Sequence, residues 1–185
     1  MTTATANSSA LSTLNDGELL QRFLKTRDEI AFQELTTRHS GMVYSVAGRM
    51  LGGNSATDDI VQAAFLLLID KAPSLTNRES VAGWLHQATQ FIVNNHRRAE
   101  KRRTMAQTAS ASGRRAMKPA TETDPLDQAQ TQEALSTLDD ALGDLREPFR
   151  LALVLHYFEG LSVSQIAERL NIEAGTVKSR LGRGL

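Results

Sequence analysis

The sequence predicts an all-α protein: two small helical domains joined by a flexible linker, the C-terminal one a helix-turn-helix. Three observations carry this reading. Apolar residues recur at three- and four-residue spacing along most of the 185-residue chain, and period-two alternation never persists long enough to read as strand. Residues 104–128 lose periodicity in a polar, small-residue stretch holding Gly113, Pro119 and Pro125, which buries too little apolar surface to offset the entropy of ordering it. Two short amphipathic segments then meet across a tight turn near the C-terminus. The expected partition is a disordered tail at 1–10, a domain at 11–103, the linker at 104–128 and a second domain at 129–185.

Residues 1–10 are rich in Thr, Ala and Ser, without a basic start or an apolar core, so they do not read as a signal peptide. Asn15 and Glu18 supply a cap for a helix over 16–25. Asp28 caps a longer helix whose buried side collects Ile30, Ala31, Phe32, Leu35, Val43, Val46, Ala47, Met50 and Leu51, and Gly52-Gly53-Asn54 stops it. A third helix spans about 57–71, buries Ile60, Val61, Ala64, Phe65 and Leu68, and ends at Pro73. On another side of it Asp59, Gln62 and Leu66 line up at i, i+3 and i+7. Such a row is either a solvated face or a docking surface, and composition alone favours the solvated face.

The fourth helix, about 80–101, buries Leu85, Ala88, Thr89, Ile92 and Val93, and carries a polar stripe of Gln87, Gln90, Asn94, Arg97 and Lys101. Trp84, Phe91, Asn95 and Arg98 lie between these faces. Aromatics and amides beside cations can stack on and hydrogen-bond unpaired bases. The competing reading buries Trp84 and Phe91 and leaves the arginines in water; for Trp84 it is the better one, since large aromatics are mostly buried. The run RRAEKRR over 97–103, which includes Arg102, is dense enough to suggest a phosphate-contacting patch.

Beyond the linker, Leu135, Leu138, Leu142 and Leu145 resume helical spacing, Pro148 occupies a first helical turn, and Leu151, Val154, Leu155 and Phe158 follow. Ser162 and Gln165 then form a capping box ahead of Ile166, Ala167 and Leu170. Asn171 breaks the run, Ile172 plugs the gap, and Val177 and Leu181 give a second helix its apolar stripe. Thr176, Lys178, Ser179, Arg180 and Arg183 point away from that stripe. Hydroxyls and cations on such a helix suit a major groove, with phosphates and guanine edges as targets. A helical hairpin in an ordinary all-α core is the bland alternative.

Net charge is zero, with 21 basic and 21 acidic residues, but the distribution is uneven. Residues 96–118 carry 8 basic and 1 acidic side chain, and residues 119–148 carry 1 and 8. There is no cysteine, hence no disulfide, no thiolate metal site and no catalytic thiol. His39, His86, His96 and His156 stand far apart, and no HExxH, GxSxG or phosphate-cradling glycine loop occurs. The chain therefore reads as a non-enzyme without cofactor or metal. Its longest apolar run, residues 63–69, is far too short to cross a bilayer, so a cytoplasmic protein without membrane insertion is expected.

Taken together, these segments resemble a bacterial RNA polymerase sigma factor of the extracytoplasmic-function (ECF) class, in the family's order and over nearly all of residues 16–185. DEIAFQELTTRH resembles the family's opening helix, and DDIVQAAFLLL resembles the helix that docks on the clamp helices of the polymerase β′ subunit. GWLHQATQFIVNNHRRAEKRR resembles the segment that opens and reads the −10 element. LREPFRLALVLHYFEGLSVSQIAERLNIEAGTVKSRLGRGL resembles the −35-binding domain, with GTVKSRL its most specific phrase.

The resemblance implies that 11–103 is a sigma region 2-like domain and 129–185 a region 4-like domain. It implies core RNA polymerase (β and β′ subunits) and promoter DNA as partners, with an anti-sigma factor as a further candidate. It also turns Asp59, Gln62 and Leu66 into a polymerase-docking face, assigns Asn94, Asn95, Arg97, Arg98, Lys101 and Arg102 to the −10 element, and gives the linker a path through the polymerase. Ala63 departs from the family, which often has an acid there, and Gln90-Phe91 replaces a common Arg-Asn pair. Family members usually continue past the position of Leu185 with a basic helical tail, so a longer natural chain is expected. Two other readings stay open: a helix-turn-helix repressor or activator, and an adaptor that binds polymerase or an anti-sigma partner without DNA.

Overall fold

The structure is a computed structural model that describes residues 11–53, 55–110, 139 and 141–184, and all secondary structure among them is helical. The expected tail, the greater part of the expected linker, and Asn54, Leu135 and Leu138 lie outside the described residues. We number the helices α1 (Asp16–Thr26), α2 (Glu29–Leu51), α3 (Thr57–Leu75), α4 (Ala82–Ser110), α5 (Glu147–Leu153), α6 (Val163–Arg169) and α7 (Ala174–Gly184). Among the described residues no helix is long and apolar enough to cross a membrane.

Local chemistry accounts for the first two helices. The Glu18 amide donates to Asn15 Oδ1 and the Asn15 amide to Glu18 Oε2, both at 2.8 Å, so the capping box at α1 is reciprocal. Arg27 closes α1 in the left-handed region at φ 54°, and Asp28 accepts the amides of Ile30 and Ala31 to open α2. Gly52 and Gly53, at φ 66° and 73°, end α2 as the glycine pair predicts. Ile30, expected in the core, is 43% exposed. It stands in the first turn beside Ala31, and α2 buries the face through Ala31, Leu35, Met42, Val46 and Met50 instead.

Helices α3 and α4 both outrun their expected ends. Helix α3 passes through Pro73 to Leu75. Proline forfeits one intrahelical hydrogen bond, but here it stands in the last turn, where carbonyls on that side already lack helical partners, and burial of Ala72 and Leu75 holds the turn. Helix α4, capped by Ser80 Oγ accepting the Ala82 amide at 3.2 Å, continues to Ser110. It thus takes in the first residues of the stretch read as linker. Apolar periodicity ends near Lys101 because residues 101–107 are exposed all round. A run without glycine or proline keeps the helix on propensity, aided by an Arg103–Glu100 pair at 2.8 Å.

In the C-terminal unit Pro148 lies in the first turn of α5, as its position predicts. A π-helical turn, Val154–Phe158, extends α5 and was not legible in the sequence. Its wider turn accommodates one extra residue and leads directly into Glu159. The capping box at α6 forms, with the Ser162 amide donating to Gln165 Oε1 at 2.8 Å. Asn171 breaks the helix by adopting φ 48°, a conformation that asparagine tolerates better than most residues. Ile166, Leu170 and Val177 are buried and Ile172 packs against them, so the two helices are fixed at their joint.

The buried residues of the N-terminal helices and of the C-terminal unit form one contiguous cluster. Leu19, Leu35, Val46 and Leu68 belong to it, and so do Val154, Leu155 and Ile166. Trp84 is half-buried against it, whereas Phe91 is 62% exposed.

Candidate nucleic-acid interface

Helix α7 hangs on one deeply buried side chain, Val177, with Leu181 half-buried beside it. The helix turns Thr176, Lys178, Ser179 and Arg183 to solvent and leaves Arg180 half-exposed. Thr176, Ser179, Arg180 and Arg183 share one open depression with Pro148 and Phe149 of α5. Lys178 is not among its lining residues, so the five side chains singled out in sequence divide into a group of four and an outlying cation. The last turn is anchored, since a Cβ built on Gly184 would stand 2.8 Å from Leu153 Cδ1. Glycine there lets α7 close on α5.

On α4, Asn95, Arg98, Lys101 and Arg102 line a second depression together with the exposed Met105. Asn94 faces a different one, with Gln87, Gln90, Phe91, Gly143 and Asp144. Arg97 is committed inward: its guanidinium donates to the carbonyl of Met50, near the end of α2. A cation there complements the negative helix terminus. Four of the six expected −10 residues therefore share a surface, and Asn94 and Arg97 stand apart from it.

The polar stripe of α4 is only partly on the surface. Gln90 is 5% exposed and donates to the carbonyl of Asp139, while Arg150 Nη2 donates to Gln87 Oε1 at 3.3 Å. Sequence reasoning placed both glutamines on a free face. The partners that cover them come from beyond the linker, and spacing within α4 carries no sign of that.

The row Asp59, Gln62 and Leu66 is exposed on α3, with Leu66 58% exposed. Asp58 and Asp59 occupy the first turn, where carboxylates complement the helix dipole. Asp58 also accepts the Tyr44 hydroxyl, which holds that phenol above its ordinary pKa.

A buried ionic cluster is the feature that sequence reasoning missed. His39 is fully buried, with Nε2 2.8 Å from Asp16 Oδ2 and Nδ1 2.7 Å from Glu159 Oε1. Facing a carboxylate at each nitrogen, the ring is a double donor and hence an imidazolium. Burial alone would lower its pKa, but the Asp16 charge and the hydrogen bonds from both carboxylates raise it to about 9. Burial pushes Asp16 up as well, yet His39, Arg169 and the Val81 amide pull it far below the ordinary carboxylate range. Arg38 adds a contact to Asp16 at 2.9 Å. Among the described residues no group of His, Asp and Glu side chains is arranged to hold a metal ion.

The chain matches the family model for sigma-70 region 2 over residues 35–103 and that for sigma-70 region 4 over residues 135–185. It is 27% identical to the ECF RNA polymerase sigma factor SigW of Bacillus subtilis (strain 168), covering 87% of this chain and 88% of that protein. It is 30% identical to the ECF sigma factor SigE of Mycolicibacterium smegmatis, over 88% of this chain and 63% of that longer protein. Among solved structures, a CnrH chain in complex with the cytosolic domain of CnrY is 23% identical at a TM-score of 0.41, covering 91% of each chain. Helical units bearing an α7 groove face and an α4 basic face thus coincide in order with the two sigma-70 regions, and this chain belongs to the ECF sigma factors, the promoter-recognition subunits of RNA polymerase.

Proposed function

We propose that the chain divides its work among three exposed faces. Asp59, Gln62 and Leu66 of α3 dock on core polymerase. Asn95, Arg98, Lys101 and Arg102 of α4, flanked by Asn94 and Arg97, hold the melted −10 strand. Thr176, Lys178, Ser179, Arg180 and Arg183 of α7 enter the −35 major groove. The observation that carries this reading is their segregation: the three sets lie on different helices and each is largely solvent-facing, so one chain can engage polymerase, single strand and duplex together.

No chemistry of its own is required. Binding energy opens and positions the promoter, and the polymerase supplies catalysis, so the protein acts as a non-enzymatic cytoplasmic regulator. An anti-sigma factor belongs to the same reading as a candidate partner. Run-off transcription is the test: core polymerase plus this chain should initiate from a promoter selected by the chain, and core alone should not. Stable binding to core without promoter-specific transcripts would leave the adaptor reading standing, and DNA binding without core binding would leave the repressor reading.

A further inference from the structure

We propose that the free protein is held closed by an ionic latch between its two helical units, and that the latch must part when the promoter is engaged. The latch joins Asp16 and His39 of the N-terminal unit to Glu159 and Arg169 of the C-terminal unit. This rests on the sigma-factor reading given above.

The latch has a defined geometry. His39 is sandwiched between Asp16 at 2.8 Å and Glu159 at 2.7 Å, with no exposed side-chain surface. Arg169 straddles the same two carboxylates, 3.3 Å from Asp16 and 3.5 Å from Glu159. Every contact but the one between Asp16 and His39 either crosses between the units or ties together the two side chains that do. Glu159 directly follows the π-helical turn and precedes Gly160 at φ 68°, so backbone irregularity on both sides aims it at His39.

Length makes the closed arrangement incompatible with full promoter engagement. The two elements are numbered 25 positions apart, which is about 85 Å of duplex at ~3.4 Å per base pair. A compact chain of this size has a radius of gyration of about 16 Å, or roughly 40 Å across. The units cannot remain in contact while each sits on its element. Closure also covers part of the amide stripe on α4, because Gln90 is buried under the Asp139 carbonyl and Gln87 is held by Arg150.

The interface suits a contact that must be given up. It is largely polar, and buried ion pairs recover in mutual attraction little more than they lose in desolvation. Among the described residues it leaves Arg49 Nε, both ring nitrogens of His86 and Asp139 Oδ2 buried without a hydrogen-bond partner, each a cost of closing. Rehydration on opening offsets part of what the latch contributes.

The test measures opening directly. The chain has no cysteine, so dyes attached to Gln33→Cys and Ser164→Cys report the separation of the units by single-molecule energy transfer. In the free full-length protein we expect a dominant high-transfer population. Glu159→Gln and, separately, Arg169→Gln should enlarge the low-transfer population several-fold while helicity by circular dichroism is retained. Wild type bound to core polymerase and a promoter duplex should be low-transfer throughout. Two folded variants that keep the wild-type distribution would overturn the latch, as would a free wild type that is already open or a promoter complex that stays in high transfer. The comparison among free proteins uses neither polymerase nor DNA, so its failure is separate from failure of the sigma-factor reading, which run-off transcription reports.

Discussion

At the scale of single residues, His39 and Arg180 carry the most definite consequences. His39 is raised from 6.5 to about 9 by the Asp16 charge and its two carboxylate partners, against the opposing effect of burial. A raised folded-state pKa stabilises fully below the unfolded value and is lost as pH rises through the folded one. The contribution should therefore be complete below about pH 6.5 and fade through pH 9, while Arg38 and Arg169 stay charged throughout. Urea unfolding at pH 7 and pH 10 should show wild type losing more stability than His39→Gln, and parallel losses would refute the assignment. Asp16 runs the other way: its contribution is present above the ordinary carboxylate range and is lost in strong acid. On α7, Arg180 offers a bidentate fork and lies half-exposed beside Phe149, which suits a base reader, whereas the exposed Lys178 suits a phosphate. Arg180→Ala should cost ~1–3 kcal/mol at one base pair and relax preference there. Lys178→Ala should instead weaken all −35 variants alike and reduce the salt slope by about one. Titration of both variants, and of Arg183→Ala, against a −35 panel at several salt concentrations checks this.

At the scale of elements, α3 and α4 present their faces with different degrees of independence. The row Asp59, Gln62, Leu66 has no partner within the printed contacts of α3 and is exposed along its length. Asp59→Arg with Gln62→Ala should thus leave the melting temperature unchanged and weaken core-polymerase binding by ~2–4 kcal/mol, tens- to hundreds-fold or more. Wild-type affinity in the double variant would move the interface elsewhere. On α4, Asn95, Arg98 and Arg102 share one depression, so their triple alanine variant should impair permanganate-detected melting at −10 while leaving −35 duplex binding intact. Normal melting would contradict that role. Capping made much of this legible: Asn15 with Glu18, Asp28, and Ser162 with Gln165 mark starts by local hydrogen bonds that need no tertiary partner. Ends were less so. Pro73 and the loss of periodicity after Lys101 suggest stops, yet α3 and α4 run on because a last-turn proline costs little and an exposed helix needs no apolar stripe.

At the scale of the whole molecule, what the sequence determined by itself was whatever depends on short-range periodicity: an all-helical chain, the two amphipathic helices across the Asn171 turn, the outward cations of α7, and the order of segments that identifies the family. Tertiary structure alone decided which polar side chains are spent on holding the units together. Gln90, His39, Glu159 and Arg150 read locally as ordinary surface or neutral positions. Their partners lie 49, 120, 120 and up to 67 residues away along the chain. A helical pattern reports which side of a helix is apolar, through spacing of three and four residues. It holds no record of which distant helix will bring a countercharge to a buried imidazole, because that depends on how the units pack in three dimensions.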